Sequence, residues 1–283
     1  MRVSRRGLRN YLGRYIGIQA DLNIWWTPGL PVVYVANPKA GCSSIQHSLK
    51  AAQADAYARV GRVCNRVSDP HTDDDCLRSK GLSPSRCRDR TLFAVVRNPF
   101  ARALSGYLDK AFHLDHREFR ELRHLKTVSF EAFLRAVAAY DRHLLDDHFR
   151  PQHINLHYPA LDYDSIFYLE HPAPIGCFLE KIAPDFKFER FSPHARGALE
   201  KLSEYYNPTT FDLVREIYAE DFDLFGYSRN LEDALLAPGV VITDGRVQMA
   251  DDPQQPDLVR PLRDTRILER TLRMRWLIER RFI

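Results

Sequence analysis

Two segments of the chain share one layout, in which a short apolar run is followed by a proline-containing turn and then by an amphipathic helical pattern. The first is PVVYVANPKAGCSSIQHSLKAA at residues 31–52, and the second is TLFAVVRNPFARALSGYLDKAF at residues 91–112. Apolar runs without alternation predict strands that are covered on both faces, as in parallel sheets. The sequence therefore predicts an α/β fold of three layers, with a central parallel sheet of four or five strands flanked by helices.

The turn of the first segment is suited to binding phosphate. A glycine-containing turn between a strand and a helix presents backbone N–H groups and the positive end of the helix dipole. Gly41 allows close approach of an anion, and Ser43 and Ser44 add hydroxyl donors. Lys39 precedes Gly41, whereas the nucleotide P-loop G-x-x-x-x-G-K-[ST] places its lysine after the second glycine. The usual motif for a nucleoside triphosphate is therefore absent.

The turn of the second segment begins with a cation at the end of its strand. Arg97 ends the apolar run, Asn98 is suited to cap a helix, and Pro99 suits the first helical position, where its missing N–H costs nothing. Ser105 follows Arg97 by eight residues, on the predicted helix. Because the carboxyl ends of parallel strands meet at one edge, the two turns are expected to form one site.

Residues 38–44, PKAGCSS, resemble the 5′-phosphosulfate-binding loop of sulfotransferases that use 3′-phosphoadenosine 5′-phosphosulfate (PAPS), with the pattern P-K-x-G-[TSC]-[ST]. Arg97 and Ser105 resemble the second signature of that family. The segments HFRPQ at 148–152, YDSIFYLE at 163–170 and IYAEDFDLFGY at 217–227 resemble its carbohydrate sulfotransferase branch. The resemblance covers about residues 31–227 and implies a P-loop-like fold.

The resemblance also implies the roles of individual residues. The donor-binding residues would be Lys39, Ala40, Gly41, Cys42, Ser43, Ser44, Arg97 and Ser105. Lys39 would be catalytic, because a cation at the bridging oxygen stabilises the charge that grows there as the 5′-phosphate leaves. Arg97 and Ser105 would bind the 3′-phosphate. Cys42 replaces the more usual threonine, so one hydroxyl contact is lost.

The acceptor hydroxyl needs a general base, because its proton must leave as it attacks. The resemblance implies His148, which opens HFRPQ and matches the family's histidine. Bases in the family vary between histidine and acidic residues. His47, His143, Glu170 and Asp164 therefore stay open as alternatives.

Several classes of protein are disfavoured by composition and spacing. The five cysteines form no C-x-x-C pair, and the histidines at 143, 148, 153 and 157 lack the H-E-x-x-H spacing, so no metal site is predicted. The odd cysteine count favours a reducing compartment. A net charge of +4 is too small to indicate nucleic-acid binding. No apolar run is long enough for a membrane span, and no signal peptide is apparent, so we expect a cytoplasmic location.

Three regions are predicted along the chain: an N-terminal segment at 1–30, a sulfotransferase domain at 31–227, and a C-terminal extension at 228–283. Within the domain, residues 55 to about 90 form a long, charged and turn-rich connection. The extension ends in TRILERTLRMRWLIERRFI, which has the pattern of a basic amphipathic helix. This helix is expected to dock on the body of the protein or on a second copy, and the second case gives a homo-oligomer. Binding to a membrane surface or to a partner stays open as the alternative.

The resemblance thus implies an enzyme that moves the sulfuryl group from PAPS in line to a hydroxyl of a carbohydrate or glycolipid-like acceptor, without a metal. The nucleotide product would be 3′-phosphoadenosine 5′-phosphate (PAP). Two alternatives stay open: a P-loop-type nucleotide kinase, which the missing Walker lysine opposes, and a non-catalytic nucleotide- or glycan-binding protein.

Overall fold

The computed structural model describes residues 22–82, 87, 89–110, 129–143, 145–182, 201–243 and 246–249. Its strands are β1 (Ile24–Trp26), β2 (Val32–Val35), β3 (Thr91–Val96), β4 (Ser165–Tyr168), β5 (Val240–Thr243) and β6 (Arg246–Met249). Its α-helices are α1 (Cys42–Arg59), α2 (Pro99–Lys110), α3 (Phe130–Ala139), α4 (Gln152–Leu156), α5 (Ala173–Ile182), α6 (Leu202–Tyr205), α7 (Pro208–Ile217) and α8 (Ala219–Leu224).

Within the described ranges, the strands form one sheet of six in the order β1-β2-β3-β4-β5-β6. Strands β2, β3 and β4 are parallel, with Val35 opposite Ala94 and Val96 opposite Tyr168. Strand β1 pairs antiparallel with β2, and β5 and β6 extend the other edge in antiparallel fashion. The α/β fold class is confirmed. The parallel part has three strands rather than the four or five expected, because the strands added at its edges run antiparallel.

Alternate residues of the central strands face two separate cores. Val33 and Val35 belong to the core beneath α2, α3, α7 and α8, whereas Tyr34 and Phe93 belong to the core beneath α1 and α5. Strand β3 is buried along its whole length. Helices thus cover both faces of the sheet, which gives the three layers expected from the uninterrupted apolar runs.

The starts of several helices follow from capping residues. Asn98 Oδ1 accepts the N–H of Phe100 at 3.0 Å at the start of α2, and Ser129 Oγ accepts the N–H of Ala132 at 3.3 Å at the start of α3. Each cap satisfies a backbone donor that has no partner within its helix. The predicted start of α2 at Asn98 is therefore confirmed.

The long connection after α1 contains a disulfide between Cys64 and Cys76. This differs from the expectation of reduced thiols, which rested on the odd cysteine count. Cys42, Cys87 and Cys177 form no disulfide, so the odd count reflects one bridge and three thiols. The pairing could not be read from the sequence, because the twelve-residue separation matches no motif.

Two expected regions contribute strands to the sheet. Strand β1 lies in the expected N-terminal segment, and β5 and β6 lie in the expected C-terminal extension. The predicted basic helix at 265–283 lies outside the described residues. Among the helices described, none is long and apolar enough to cross a membrane.

Candidate active site

The two predicted signatures meet at the carboxyl edge of the parallel strands. Strands β2 and β3 are neighbours, so the turns that follow them lie side by side. The Arg97 guanidinium folds back and donates a hydrogen bond from Nη1 to the Lys39 carbonyl oxygen at 3.2 Å. The structure therefore brings together the first turn and the cation of the second.

The first turn is a tight loop with left-handed backbone at two positions. Lys39 has φ 68° and Gly41 has φ 77°. A Cβ on residue 41 would lie 2.7 Å from Leu169 Cδ1, a terminal methyl that can move aside, so the left-handed backbone is the main reason for glycine here. Helix α1 begins at the next residue, and its first N–H groups have no acceptor within the helix. This loop has the geometry of an anion site at a helix N-terminus.

The predicted catalytic lysine forms an ion pair inside this site. Lys39 Nζ lies 3.0 Å from Asp109 Oδ2, and Lys110 Nζ lies 3.5 Å from the same oxygen. Burial lowers the pKa of Lys39, and the charge of Asp109 opposes this shift. Burial acts to raise the pKa of Asp109, but the charge and hydrogen bond of Lys39, together with the charges of Lys110 and His148, outweigh it, so the pKa of Asp109 is lowered.

Sequence reasoning missed Asp109. It follows Ser105 by four residues on α2, and this spacing places both residues on the same helix face. Helical periodicity could therefore have predicted that Asp109 faces the site. Ser105 itself is partly buried on α2.

Gln152, the last residue of HFRPQ, connects the ends of β2 and β3. Its Oε1 accepts hydrogen bonds from Asn37 Nδ2 at 2.8 Å and from the Arg97 N–H at 2.9 Å, and its Nε2 donates to the Arg97 carbonyl at 2.8 Å. The side chain is fully buried. Its backbone N–H in turn donates to Asp221 Oδ2 at 2.7 Å. One amide therefore holds the two turns in register.

Arg102 connects the first turn to the segment that carries His148. Its Nε donates to the Pro38 carbonyl at 3.0 Å, Nη1 donates to the Arg150 carbonyl at 2.9 Å, and Nη2 donates to the Asp147 carbonyl at 2.9 Å. The residue is 1 % exposed. The buried guanidinium thus fixes Pro38, which precedes Lys39, relative to Asp147, which precedes His148.

His148 is held by two carboxylates. Its Nδ1 lies 2.6 Å from Asp146 Oδ1 and 3.0 Å from Asp147 Oδ1. Burial alone would lower the pKa of His148, but hydrogen bonds to Asp146 and Asp147 outweigh it, so the pKa is raised. Ligand atoms of these three residues lie within 4.8 Å of one another, close enough for a metal ion. The direct hydrogen bonds instead give an aspartate–histidine arrangement that directs Nε2 away from the carboxylates.

Two of the alternative bases have structural partners. The Glu170 carboxylate accepts the N–H of Asn98 at 2.8 Å and the hydroxyl of Tyr227 at 2.9 Å, and burial raises its pKa. Asp164 Oδ2 accepts the N–H of Leu92 at 2.5 Å. Both carboxylates therefore serve to fix strand ends. His47 lies on α1 and His143 lies after α3.

The first three side chains of α1, those of Cys42, Ser43 and Ser44, differ in their exposure. Burial raises the pKa of the Cys42 thiol, against the nearby charge of Lys39, and this favours the neutral thiol. Ser44 is 8 % exposed, whereas Ser43 is accessible. Ser43 is thus the hydroxyl of this loop best exposed to an incoming anion.

His71 also contacts this loop, and sequence reasoning missed it. Its Nε2 lies 2.9 Å from Ser43 Oγ. The residue comes from the long connection after α1, where no sequence pattern pointed to the site. Burial lowers the pKa of His71, although Asp69 opposes this.

Comparison with protein families identifies the family of this chain. Searches of curated proteins and of solved structures each found no match. The model of the sulfotransferase family matches residues 23–228, which is more than half of the chain and includes every site residue described above. The match begins just before β1 and ends after α8. The chain therefore belongs to the sulfotransferase family.

Proposed function

We propose that this protein transfers the sulfuryl group of PAPS to a hydroxyl of a carbohydrate or glycolipid-like acceptor. The observation that carries the proposal is the contact between the two signatures: Arg97 donates to the Lys39 carbonyl at the start of α1. A lysine before the glycine, together with a second cation from the next strand, suits a donor with phosphates at its 5′ and 3′ positions. Membership of the sulfotransferase family supports sulfuryl transfer.

The loop at residues 38–44 is proposed to hold the 5′-phosphosulfate through the residues Lys39, Ala40, Gly41, Cys42, Ser43 and Ser44. Sulfuryl transfer resembles phosphoryl transfer, so catalysis consists mostly of positioning the reactants and stabilising charge. Lys39 would donate to the bridging oxygen as the 5′-phosphate leaves. An ammonium has three N–H donors, so Lys39 can keep Asp109 and still reach the donor.

Arg97 and Ser105 are proposed to bind the 3′-phosphate. Arg97 directly follows β3 and its guanidinium already lies across the first turn, while Ser105 lies on α2. A guanidinium can offer two parallel N–H groups to a phosphate. PAP, the nucleotide product, would occupy the same contacts after transfer.

His148 is proposed as the general base. Its Nδ1 is bound by Asp146, an arrangement that fixes the ring and leaves Nε2 as the proton acceptor. Arg102 connects this segment to the residue before Lys39, which supports a shared site for base and donor. The proton of the acceptor hydroxyl would pass to Nε2 as its oxygen attacks sulfur in line.

The remaining expectations stay predictions. A kinase is disfavoured by the missing Walker lysine. A non-catalytic binding protein would keep its function when Lys39 is lost. A homo-oligomer formed through the C-terminal helix stays a prediction. For the compartment, the disulfide between Cys64 and Cys76 weighs against the expected cytoplasmic location, because such bonds are rare in reducing compartments.

The proposal is tested by replacing Lys39 with alanine and measuring transfer of radiolabelled sulfate from PAPS to a panel of glycans. We expect transfer to fall at least ~10²-fold, the size typical of losing one transition-state donor. Lys181→Ala, at the exposed end of α5, is the matched control and should transfer at the wild-type rate. Wild-type transfer by the Lys39 variant would remove the assigned role, and phosphate transfer from ATP with Mg²⁺ would support the kinase instead.

A further inference from the structure

The loop between Cys64 and Cys76, called here the disulfide loop, is anchored on α1. Lys50 of that helix donates from Nζ to the Asp69 carbonyl at 2.8 Å and to the Thr72 carbonyl at 2.7 Å, and it pairs with Asp74 Oδ2 at 2.9 Å. The side chains of Lys50 and Asp74 are 1 % and 2 % exposed. A buried cation with this many partners holds its loop in one place.

Contacts within the disulfide loop complete its shape. Asp74 accepts the N–H groups of Val67 at 2.9 Å and of Cys76 at 2.8 Å, so one carboxylate connects both ends of the loop. Asp69 accepts the N–H of His71 at 2.9 Å. The backbone position of His71 is therefore set by the loop, and the loop is set by the helix that begins at the anion site.

Both ring nitrogens of His71 face residues at the start of α1. Nε2 lies 2.9 Å from Ser43 Oγ. The Gln46 amide, oriented so that its oxygen accepts from Trp25 Nε1 at 2.9 Å, donates from its nitrogen to His71 Nδ1 at 2.8 Å. Since Nδ1 accepts, the proton of the neutral imidazole lies on Nε2, which donates to Ser43. Burial lowers the pKa of His71 and so favours this neutral form at pH 7.

We propose that His71 is a donor-binding residue that contacts the 5′-phosphosulfate end of PAPS from the disulfide loop. The inference rests on the proposed function of the loop at residues 38–44. Ser43 is the accessible hydroxyl of that loop, and the N–H of His71 points at it. When Ser43 turns its hydroxyl to an anion, the imidazole N–H beside it reaches the same group. The disulfide loop thereby forms a wall of the donor site.

The opposing interpretation is purely structural, with His71 acting only to attach the disulfide loop to α1. The two interpretations differ in which ligand group senses the histidine. A donor-binding role predicts an effect that depends on the 5′-phosphate of the ligand. A structural role predicts the same effect for every ligand, or none.

The test measures dissociation constants of PAP and of adenosine 3′-phosphate by calorimetry, because the second ligand lacks the 5′-phosphate. For His71→Ala we expect PAP to bind about tenfold more weakly, as for loss of one charge-assisted hydrogen bond. Binding of adenosine 3′-phosphate should stay within about twofold of wild type. His71→Gln, which keeps an N–H donor, should recover part of the loss. Ser68→Ala, an exposed position of the disulfide loop, should bind both ligands as wild type does.

The outcomes separate this inference from the proposed function. If the wild-type protein binds PAP no more tightly than adenosine 3′-phosphate, the 5′-phosphate site at residues 38–44 is itself wrong. If the wild type prefers PAP but His71→Ala weakens both ligands equally, or neither, His71 is structural and the donor site stands. Unchanged binding of adenosine 3′-phosphate also shows that the variant is folded.

Discussion

Arg102 should be among the most sensitive positions in the protein. Its guanidinium is 1 % exposed and donates to three backbone carbonyls, those of Pro38, Asp147 and Arg150. Arg102→Met keeps most of the side-chain volume but removes all three donors. The Pro38 and Arg150 carbonyls then lose their Arg102 donor in a site that excludes water, at about 1–3 kcal/mol each. The Asp147 carbonyl keeps its hydrogen bond from Asn155 Nδ2 at 2.8 Å.

The expected loss is smaller than the largest sum of these contributions, because methionine also avoids the cost of burying a charge. We expect the free energy of unfolding to fall by about 3–5 kcal/mol, a large part of the roughly 5–15 kcal/mol typical of a domain. Arg102→Lys should fall between the wild type and the methionine variant, since an ammonium cannot reproduce the planar geometry of the three bonds.

Urea denaturation followed by circular dichroism gives the free energies of unfolding. The matched control is Arg135→Met, which removes an arginine of 59 % side-chain exposure that pairs with Glu131 at 2.9 Å. This exposed pair within one helix should contribute only about 0.3–0.5 kcal/mol. A loss below about 1 kcal/mol for Arg102→Met, or one no larger than that of the control, would refute the argument that this guanidinium holds the site together.

Two further predictions concern the pH dependence of sulfate transfer. Burial lowers the pKa of Lys39, and the charge of Asp109 opposes that shift. Asp109→Asn should therefore lower this pKa further and move the alkaline loss of activity to lower pH. An alkaline limb that does not move would contradict the pairing of Lys39 with Asp109. Hydrogen bonds to Asp146 and Asp147 raise the pKa of His148 against the effect of burial, and a base acts only when deprotonated. Asp146→Asn should therefore move the acid limb of kcat/KM to lower pH, and a limb that stays in place would point to another base.

Sequence patterns anticipated the parts of this protein that depend on local rules. Uninterrupted apolar runs predicted the buried strands β2 and β3, and Asn98 marked the start of α2. The order of lysine and glycine in PKAGCSS led to the family to which the chain belongs. These features were readable because each involves residues within a few positions of one another.

Residues that reach the site from distant parts of the chain were not readable in this way. Asp109 pairs with Lys39 across 70 positions, and Gln152 bonds to Asn37 across 115. His71 comes from a connection with no helical or strand periodicity. Such contacts depend on how the strands are ordered in the sheet and on where the loops return, and neither property leaves a periodic pattern in the sequence.

Local geometry and hydrogen-bonding needs dictate the two strand-turn-helix units, the loop that can bind an anion, and the cation after the next strand, so these features can be predicted from residues close together in the chain. Only the folded chain shows that Arg97 lies against the Lys39 carbonyl, that Asp109 pairs with the lysine, and that the disulfide loop brings His71 to Ser43. The physical reason is that these contacts form only when the parallel strands align their carboxyl ends and the long connection is anchored on α1.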